Sequence, residues 1–458
     1  MGGSCIMGDV HTKMRPSLLS SEASATQSVN MRGLVNLVLP FPTFTPYPPP
    51  RAHWAMVRSI FQAVIVAGAA SLRLICENFL KYGWLLPSFE VSKLEADSDN
   101  TGVLTALSLL PLLSLAQLLL EKAVSRDTPK LHRFASMLHG FLVAVCVIGT
   151  SAIVWRRPAP LLSGVMCMMT ALAHGMKMVS FAHVHCASSH ALRPTLPQLA
   201  DFLCAPTLCY QPSYPRTQRV RWRFVARRLA ELVVCYTLMF FIWFQYLRPV
   251  VMNSMSHIEC ALSWPPQKYG IPVPDYGKCV LRTFERLLKV ALPNLCFWLL
   301  LFFSFFHSYL NLVAELIRFG DRQWYKDWWN SADLGEYWRK WNLPVHNWMY
   351  RHLYRPALQS GMSSFAAQLC AFLLSAVGHE LVISIPFHAV HAYAFVAMLA
   401  QLPLILLTMK LRVLMPGRRG KIWGNAIFWV SFVILGQPLA VLIYTYERLQ
   451  VDPSSLAD

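Results

Sequence analysis

Charged residues are scarce in this chain. Only 14% of its 458 residues are Asp, Glu, Lys or Arg, whereas 55% are hydrophobic and the mean hydropathy is +0.40. In soluble globular proteins about a quarter of the residues are charged. The low charge content therefore excludes an ordinary soluble domain and favours a multi-pass membrane protein.

Several common sequence signals are also missing. The twelve cysteines form no Cys-x-x-Cys pair, which argues against a zinc or iron–sulfur site, and no metal is expected. The N-terminus has no basic start followed by a short apolar run, so we expect no cleavable signal peptide. No internal repeat is visible, whereas many transporters are built from paired halves.

Nine apolar segments are long enough to cross a bilayer as helices. They lie at Ala55–Ala70, Val103–Leu120, Ala135–Trp155, Leu161–Phe181, Leu229–Tyr246, Val290–Leu316, Phe365–Ile385, Ala392–Met409 and Ile422–Tyr444. The sequence thus predicts an all-α fold of about nine transmembrane helices.

The net charge of +18 is explained by the positive-inside rule, so no nucleic-acid partner is expected. If the N-terminus is cytosolic, basic runs such as 216–228 and 410–421 fall on the cytosolic side. The acidic tail Asp452–Asp458 then lies in the lumen. We therefore predict a disordered, Pro-rich cytosolic tail at 1–51, a membrane domain at 52–447 and a short lumenal tail at 448–458.

Two adjacent ionisable residues, His379 and Glu380, interrupt the apolar stretch Phe365–Pro386. Ionisable side chains inside a membrane are costly and by default indicate function. A neutral imidazole can take a proton from an alcohol near neutral pH, which suits a general base. Ser375 lies one helical turn earlier, on the same face. The alternative is a histidine that is paired for structure alone.

The segment 321–356 is crowded with Trp and Tyr interleaved with Lys and Arg. This composition is typical of a helix at the water–lipid boundary, which the aromatic rings would anchor. Four polar residues do not fit a pure anchor, namely Asp327, Asn330, Asn342 and His346. They suggest that part of the segment has a chemical role.

The run Trp324-Tyr325-Lys326-Asp327-Trp328-Trp329-Asn330 resembles the Phe-Tyr-x-Asp-Trp-Trp-Asn signature of the acyl-CoA:diacylglycerol and acyl-CoA:sterol acyltransferases. These enzymes belong to the membrane-bound O-acyltransferase superfamily. The resemblance covers roughly 50–447 and includes the segments 205–216, 314–321, 341–346, 351–354, 375–380 and 436–438. Pro344 and Arg351-His352-x-Tyr354 resemble the diacylglycerol branch. Trp324 replaces the Phe of the family, and Gly378 stands where a bulky apolar residue is expected.

The resemblance implies a reaction chamber within the bilayer, enclosed by the last helices. Acyl-CoA would enter it from the cytosol as co-substrate, with no cofactor, and diacylglycerol would enter from the membrane lipids. His379 resembles the catalytic histidine of the family and Asn342 its partner. The resemblance places His346, Tyr354 and Ser375 along the acyl-CoA channel, and Glu380, Met398, Gln401 and Gln437 near the chamber. It also implies an endoplasmic reticulum membrane and a homodimer or homotetramer.

Residue chemistry supports the same reaction. When an ester forms from a thioester, a proton must leave the alcohol as the oxygen attacks the carbonyl carbon. The amide of Asn342 could donate a hydrogen bond to the carbonyl oxygen as its charge develops. CoA carries several phosphates, and the predicted cytosolic loops are basic. This chemistry fits acyl transfer to a lipid alcohol, and the resemblance implies diacylglycerol as the acceptor, which would yield triacylglycerol.

Other functions remain open at this point. A sterol or another lipid alcohol could be the acceptor instead. Cys370 could act as a nucleophile with His379 as its base, although their helical spacing puts them on opposite faces. A transporter or channel would also bury His and Glu in its spans, and a structural scaffold is the simplest alternative.

The predicted lumenal loop 248–289 contains two cysteines outside the apolar segments, Cys260 and Cys279. Disulfides persist in an oxidising lumen, so the two thiols could form a bridge. They could equally stay free in a flexible loop, because the sequence does not establish the distance between their Cα atoms.

Overall fold

The computed structural model describes residues 76–85, 100–123, 129–157, 159–187, 194–263 and 273–451. Within these ranges the chain is helical, with no β-strand, and Arg216 and Phe319 form an isolated β-bridge. The predicted tail 1–51, the predicted first span Ala55–Ala70 and residues 452–458 lie outside the described residues.

Eight described helices are long and apolar enough to cross a membrane. They are α1 (Thr101–Ala123), α2 (Arg133–Arg156), α3 (Leu161–His185), α4 (Trp222–Met252), α5 (Asp275–Leu316), α6 (Ser364–Phe387), α7 (Tyr393–Leu414) and α8 (Arg418–Val451). Each corresponds to one of the predicted spans, so eight of the nine are confirmed.

Several helices are longer than the sequence predicted, and π-helical segments interrupt them. The π-segments are Val145–Gly149 in α2, Trp243–Leu247 in α4, Phe303–Tyr309 in α5 and Ser431–Gly436 in α8. A π-segment adds one residue to a turn and so rotates the helical faces on either side of it. Residues before and after a π-segment therefore point in different directions than they would in a continuous α-helix, although the apolar sequence itself shows no interruption.

The helices pack in two groups. In the first, α1, α2 and α3 share a core around Leu110, Cys146 and Met178. Helix α6 packs against α3, where a Cβ on Gly164 would lie only 3.0 Å from Pro386 Cβ. This close approach favours glycine and places α6, which carries His379, against the first group.

The second group consists of α4, α5 and α8. Its core contains Leu247 of α4, Val290 of α5 and Leu442 of α8, each no more than 2% exposed. Helix α7 contacts α8 and the short helix Leu334–Lys340. Buried thiols such as Cys167 and Cys235 pack as small apolar side chains in both groups, as the sequence predicted.

The prediction of a long polar loop at 248–289 is wrong. Helix α4 continues to Met252, a short helix follows at Met255–Leu262, and helical structure resumes at Val273. We call Met255–Leu262 the bridge helix, because Cys260 in it forms a disulfide with Cys279 of α5. Their Cα atoms lie 5.9 Å apart, within the range that a disulfide requires.

Replacing Cys260 by serine should lower thermal stability without slowing catalysis. The lost bridge closes a chain segment of 19 residues, and the chain-entropy model assigns about 3 kcal/mol to a loop of this size. Cys204→Ser serves as the matched control, since that thiol is exposed and unpaired. The measurements are the unfolding temperature of purified protein and peptide mapping without reductant. Finding both thiols free in protein from native membranes would contradict the bridge.

Candidate active site

The segment that carries the Trp-rich signature is folded inside the protein. Trp324 is 3% exposed and Trp328 is 0% exposed. Trp328 packs edge-on against Trp298 and Phe302 of α5, with ring centroids 5.5 and 5.1 Å away. The prediction that these tryptophans anchor a helix at the membrane boundary is therefore wrong for these two rings, which form a core.

Nor is this segment one helix. A 3₁₀ turn at Trp328–Asn330 precedes the helices Leu334–Lys340, Leu343–Met349 and Arg355–Gln359, with a π-segment at Tyr350–Tyr354. The stretch from Trp324 to Leu343 closes into a loop, because the backbone NH of Leu343 donates to the carbonyl of Trp324 at 2.9 Å. Asp327 pairs with Lys340 across the same turn at 2.8 Å. Asp327 thus has a structural partner that the sequence did not reveal.

Helix α8 holds this turn from the other side. The amide of Asn425 donates to the carbonyls of Trp329 and Ser331 at 3.0 and 2.9 Å. A Cβ on Gly424 would lie 2.0 Å from the carbonyl oxygen of Ala332, so only glycine allows this approach. The signature is thereby fixed to the last span.

Three sequence-distant segments of the family pattern meet here. Gly320 donates its backbone NH to the carbonyl of Pro215 at 2.8 Å, which joins 314–321 to 205–216. Arg351 donates to the carbonyl of Tyr210 at 3.2 Å, which joins 205–216 to 351–354. The backbone NH of Tyr210 also donates to Ser180 of α3. The fold thus explains why these separate stretches belong to one pattern.

His379 lies on α6 with one ring nitrogen fixed. Its Nδ1 is 2.8 Å from the backbone carbonyl oxygen of Ser375 and 3.4 Å from the Ser375 hydroxyl. A carbonyl oxygen can only accept, so Nδ1 carries the proton in this geometry. In the neutral ring Nε2 then has the lone pair and can take a proton. This is the tautomer that a general base needs.

The face of α6 that carries His379 also contacts the signature region. Phe372, Ser375 and His379 follow at helical spacing on one face. Trp338 packs edge-on against Phe372 with ring centroids 5.9 Å apart, and the π-segment Tyr350–Tyr354 packs against α6 as well. The Trp-rich segment and the predicted base therefore belong to neighbouring surfaces.

Asn342 is the N-cap of the helix Leu343–Met349. Its side-chain Oδ1 accepts a hydrogen bond from the backbone NH of Val345 at 3.2 Å. The amide, which did not fit a membrane anchor in the sequence, therefore has a structural use as a helix cap. Among the described residues its Nδ2 has no hydrogen-bond partner, and no hydrogen bond joins Asn342 to His379. The cap fixes the amide and leaves its NH₂ group available as a donor.

Glu380 supports the turn between α6 and α7. Its carboxylate accepts hydrogen bonds from the backbone NH groups of Ala392 and Phe395, both at 3.0 Å, and from the hydroxyls of Ser384 and Tyr444. Ala392 has φ 57°, a strained value for alanine. The carboxylate stabilises this turn, so the structure gives Glu380 a structural role.

The other predicted site residues are distributed over neighbouring elements. The Tyr354 hydroxyl is 2.9 Å from Ser364 Oγ at the start of α6. Met398 is buried in α7, and Gln401 on the same helix bonds to the carbonyl of Ala397 at 3.4 Å. Gln437 starts the last α-helical part of α8. Asn330 is exposed at the end of the 3₁₀ turn.

His346 lines a cavity of about 530 Å³ that Lys326 of the signature also lines. The cavity is lined by Lys326, Glu336, Arg339, Lys340, Leu343, His346, Asn347 and Arg412. Lys340 pairs with Glu336 at 2.8 Å. Lys326 and Arg339 have no ion-pair partner among the described residues, so the cavity has an excess of positive charge.

This cavity keeps His346 neutral. Burial lowers the pKa of His346, and the nearby Arg339 and Lys326 lower it further. The sequence pattern indicated His346, but it did not indicate the Lys and Arg side chains that surround it in the fold. Arg412 comes from the end of α7, far along the chain, and its ion pair with Asp333 holds it beside this cavity.

Residues 179–445 match the model of the family described as MBOAT, membrane-bound O-acyltransferase. The chain is 38% identical over 405 residues to diacylglycerol O-acyltransferase 1B of Glycine max, covering 84% of this chain and 76% of that relative. It is 36% identical over 459 residues to diacylglycerol O-acyltransferase 1 of Arabidopsis thaliana, covering 96% and 77%. The similarity extends to diacylglycerol O-acyltransferase 1 of Dictyostelium discoideum, 34% identical over 451 residues, covering 94% and 64%.

Proposed function

Since the chain belongs to the membrane-bound O-acyltransferase family, we propose that it transfers a fatty acyl group from acyl-CoA to the free hydroxyl of diacylglycerol. The product is triacylglycerol. One observation carries the chemistry, namely the placement of His379 in a membrane helix with Nδ1 bonded to Ser375 and Nε2 unprotonated. The names of the relatives support diacylglycerol as the acceptor.

In the proposed mechanism, His379 Nε2 removes the hydroxyl proton of diacylglycerol as the oxygen attacks the thioester carbonyl. The carbonyl oxygen gains negative charge, and the NH₂ group of Asn342 donates a hydrogen bond to it. When the intermediate collapses, the C–S bond breaks and CoA leaves as a thiolate. The imidazolium of His379 returns the proton to that sulfur, so the enzyme is regenerated.

The basic cavity around His346 supports an entrance for acyl-CoA. Lys326 and Arg339 are unpaired among the described residues and suit the phosphates of CoA. A neutral His346 can donate or accept a hydrogen bond there without adding charge. Tyr354 and Ser375 lie between this region and His379 along the chain and would line the channel. We propose that Met398, Gln401 and Gln437 lie near the reaction chamber, where the acceptor lipid enters.

Charge distribution supports the proposed orientation in the membrane. The loops on the signature side include 186–221, with four arginines and one acidic residue, and 317–363, with seven Lys or Arg residues. By the positive-inside rule this side is cytosolic. The N-terminus would then be cytosolic, and the C-terminus and bridge helix lumenal, in the endoplasmic reticulum membrane. A homodimer or homotetramer is proposed from the family resemblance alone.

A competition assay tests the acceptor. Purified protein with one labelled acyl-CoA and equal amounts of diacylglycerol and cholesterol should label triacylglycerol faster than sterol ester. Repeating the assay with a plant sterol and with a long-chain alcohol extends the comparison to other lipid alcohols. The His379→Ala variant gives the background. If any competing alcohol is esterified faster than diacylglycerol, the proposed acceptor is wrong.

A further inference from the structure

The start of α5 carries many charges on the membrane face opposite the signature. The continuous α-helix that contains the start of α5 covers Val273–Phe302, about 45 Å at 1.5 Å per residue, whereas the hydrocarbon core is about 30 Å thick. Its charged residues all precede Val290, and none follows before Glu315. The hydrocarbon boundary therefore lies near Lys289, and the turns before it lie among lipid headgroups or in water.

The bridge helix runs antiparallel to these first turns of α5. The disulfide joins Cys260 to Cys279, and the Thr283 hydroxyl donates to the carbonyl of His257 at 2.9 Å. His257 therefore faces Thr283 and Cys260 faces Cys279, so the two helices run in opposite directions side by side. In this register Arg286 lies on the next turn of α5, closer to the membrane than His257.

Two arginines on this surface have no partner within the part of the chain that the structure describes. Arg282 is exposed, Arg286 is half-buried, and neither makes a hydrogen bond or an ion pair with any described residue. The buried Nε of Arg286 also lacks a partner. Burial lowers the pKa of His257, and the nearby Arg286 and Arg282 guanidiniums lower it further. We call Arg282 and Arg286 the arginine pair.

Two of the nearby carboxylates have lysine partners. Asp275 pairs with Lys278 at 2.9 Å, and Glu285 pairs with Lys289 at 2.8 Å. Residues 264–272, which connect the bridge helix to α5, contain no Asp or Glu. Glu285 also lies close to both guanidiniums, and Glu259 is exposed on the bridge helix, so these carboxylates offset part of the positive charge. A further anion beside the two guanidiniums and His257 would stabilise the cluster.

An exposed apolar face lies beside the charged face of the same turns. It is formed by Val280, Leu281, Phe284 and Leu288, which are 45%, 69%, 48% and 46% exposed. An exposed apolar face next to basic residues at the membrane boundary is typical of a helix that lies on the acyl chains. Because this apolar face lies beside the arginine pair at the membrane boundary, the anion that the arginines bind is expected to be part of a lipid rather than a soluble ion.

We propose that the arginine pair and His257 bind the phosphate-bearing headgroup of an anionic phospholipid, in the leaflet opposite the signature. The guanidiniums donate to the phosphate oxygens, and His257 can donate through a ring nitrogen. From the headgroup the acyl chains extend toward the hydrocarbon core, along the exposed Leu288 and Leu292 of the same helix. The disulfide keeps the bridge helix in register with α5 and so keeps His257 beside the arginine pair.

Native mass spectrometry of the full-length protein in mild detergent tests this site. The probes are phosphatidylserine and phosphatidylcholine with identical acyl chains. Wild type should retain phosphatidylserine in preference to phosphatidylcholine. Arg282→Gln with Arg286→Gln should weaken phosphatidylserine binding about thirtyfold, as expected when two cations near the surface are lost. Lys278→Gln is the matched control, because Lys278 is already paired with Asp275.

The outcomes separate the possible ligands. Equal retention of the two lipids by wild type, or an equal loss of binding in the Lys278→Gln control, would overturn the site. Displacement of the lipid by millimolar inorganic phosphate would assign the pair to a soluble anion and overturn the lipid proposal. If the double variant does not fold, Arg282→Gln alone carries the test, since that side chain is exposed. Arg286→Lys should keep most of the preference for phosphatidylserine over phosphatidylcholine, because lysine keeps the positive charge.

Discussion

Replacing His379 by alanine should abolish acyl transfer while the protein still folds and inserts. The loss of a general base typically lowers the rate by about 10²–10⁴-fold. Among the described residues the imidazole makes hydrogen bonds only to Ser375, one turn earlier on α6, so its removal breaks no hydrogen bond between helices. The measurement is kcat for triacylglycerol formation by purified protein, beside its unfolding temperature.

His391→Ala is the matched control for that experiment. His391 lies in the turn that follows α6, where it pairs with Glu447 at 3.1 Å. Its loss should leave kcat near that of wild type. A His379→Ala enzyme that keeps its activity within about tenfold of wild type would remove His379 from the role of base, because the expected loss is larger.

The second large effect is expected at Asn342. One substitution there can remove its NH₂ group, the proposed hydrogen-bond donor, while its side-chain oxygen still caps the helix. Asn342→Asp keeps the side-chain oxygen that accepts from Val345, and Asp is among the strongest N-cap residues. It removes the NH₂ group that would donate to the developing oxyanion. We expect kcat to fall about 10²–10³-fold, the usual effect of losing one such donor. The unfolding temperature should stay close to that of wild type.

Two further variants interpret the Asn342 result. Asn342→Ala removes both functions and should in addition cost about 1 kcal/mol of stability. Asn347→Asp adds the same charge to the edge of the basic cavity and reports the effect of charge alone, which should appear mainly in KM for acyl-CoA. If Asn342→Asp changes only KM, Asn342 binds acyl-CoA and does not stabilise the transition state.

Sequence patterns predicted the membrane helices well, because the length and apolarity of a span are local properties. Every described span overlaps its predicted segment, as α3 and α6 illustrate. The ends were less accurate. Helix α5 begins well before the predicted Val290, because amphipathic turns at a membrane boundary contain charges that a search for apolar runs excludes.

The signature region shows the limit of composition. Its tryptophans resemble membrane-boundary anchors, yet Trp328 is fully buried among rings from α5 and α8. A tryptophan at a boundary and a tryptophan in a core have the same sequence signal, since both follow from a large apolar ring. The distinction depends on which helices lie around it, and the segment itself does not contain that information.

The sequence by itself determined the membrane class, the family pattern and the identity of the ionisable residue within an apolar span. These follow from the kind and spacing of residues along one stretch of chain. The tertiary structure alone decided the tautomer that fits a base at His379, the structural role of Glu380 and the basic cavity around His346. It also showed that Cys260 and Cys279 are bridged. Each of these depends on atoms from turns or helices that only folding brings within hydrogen-bonding or bonding distance.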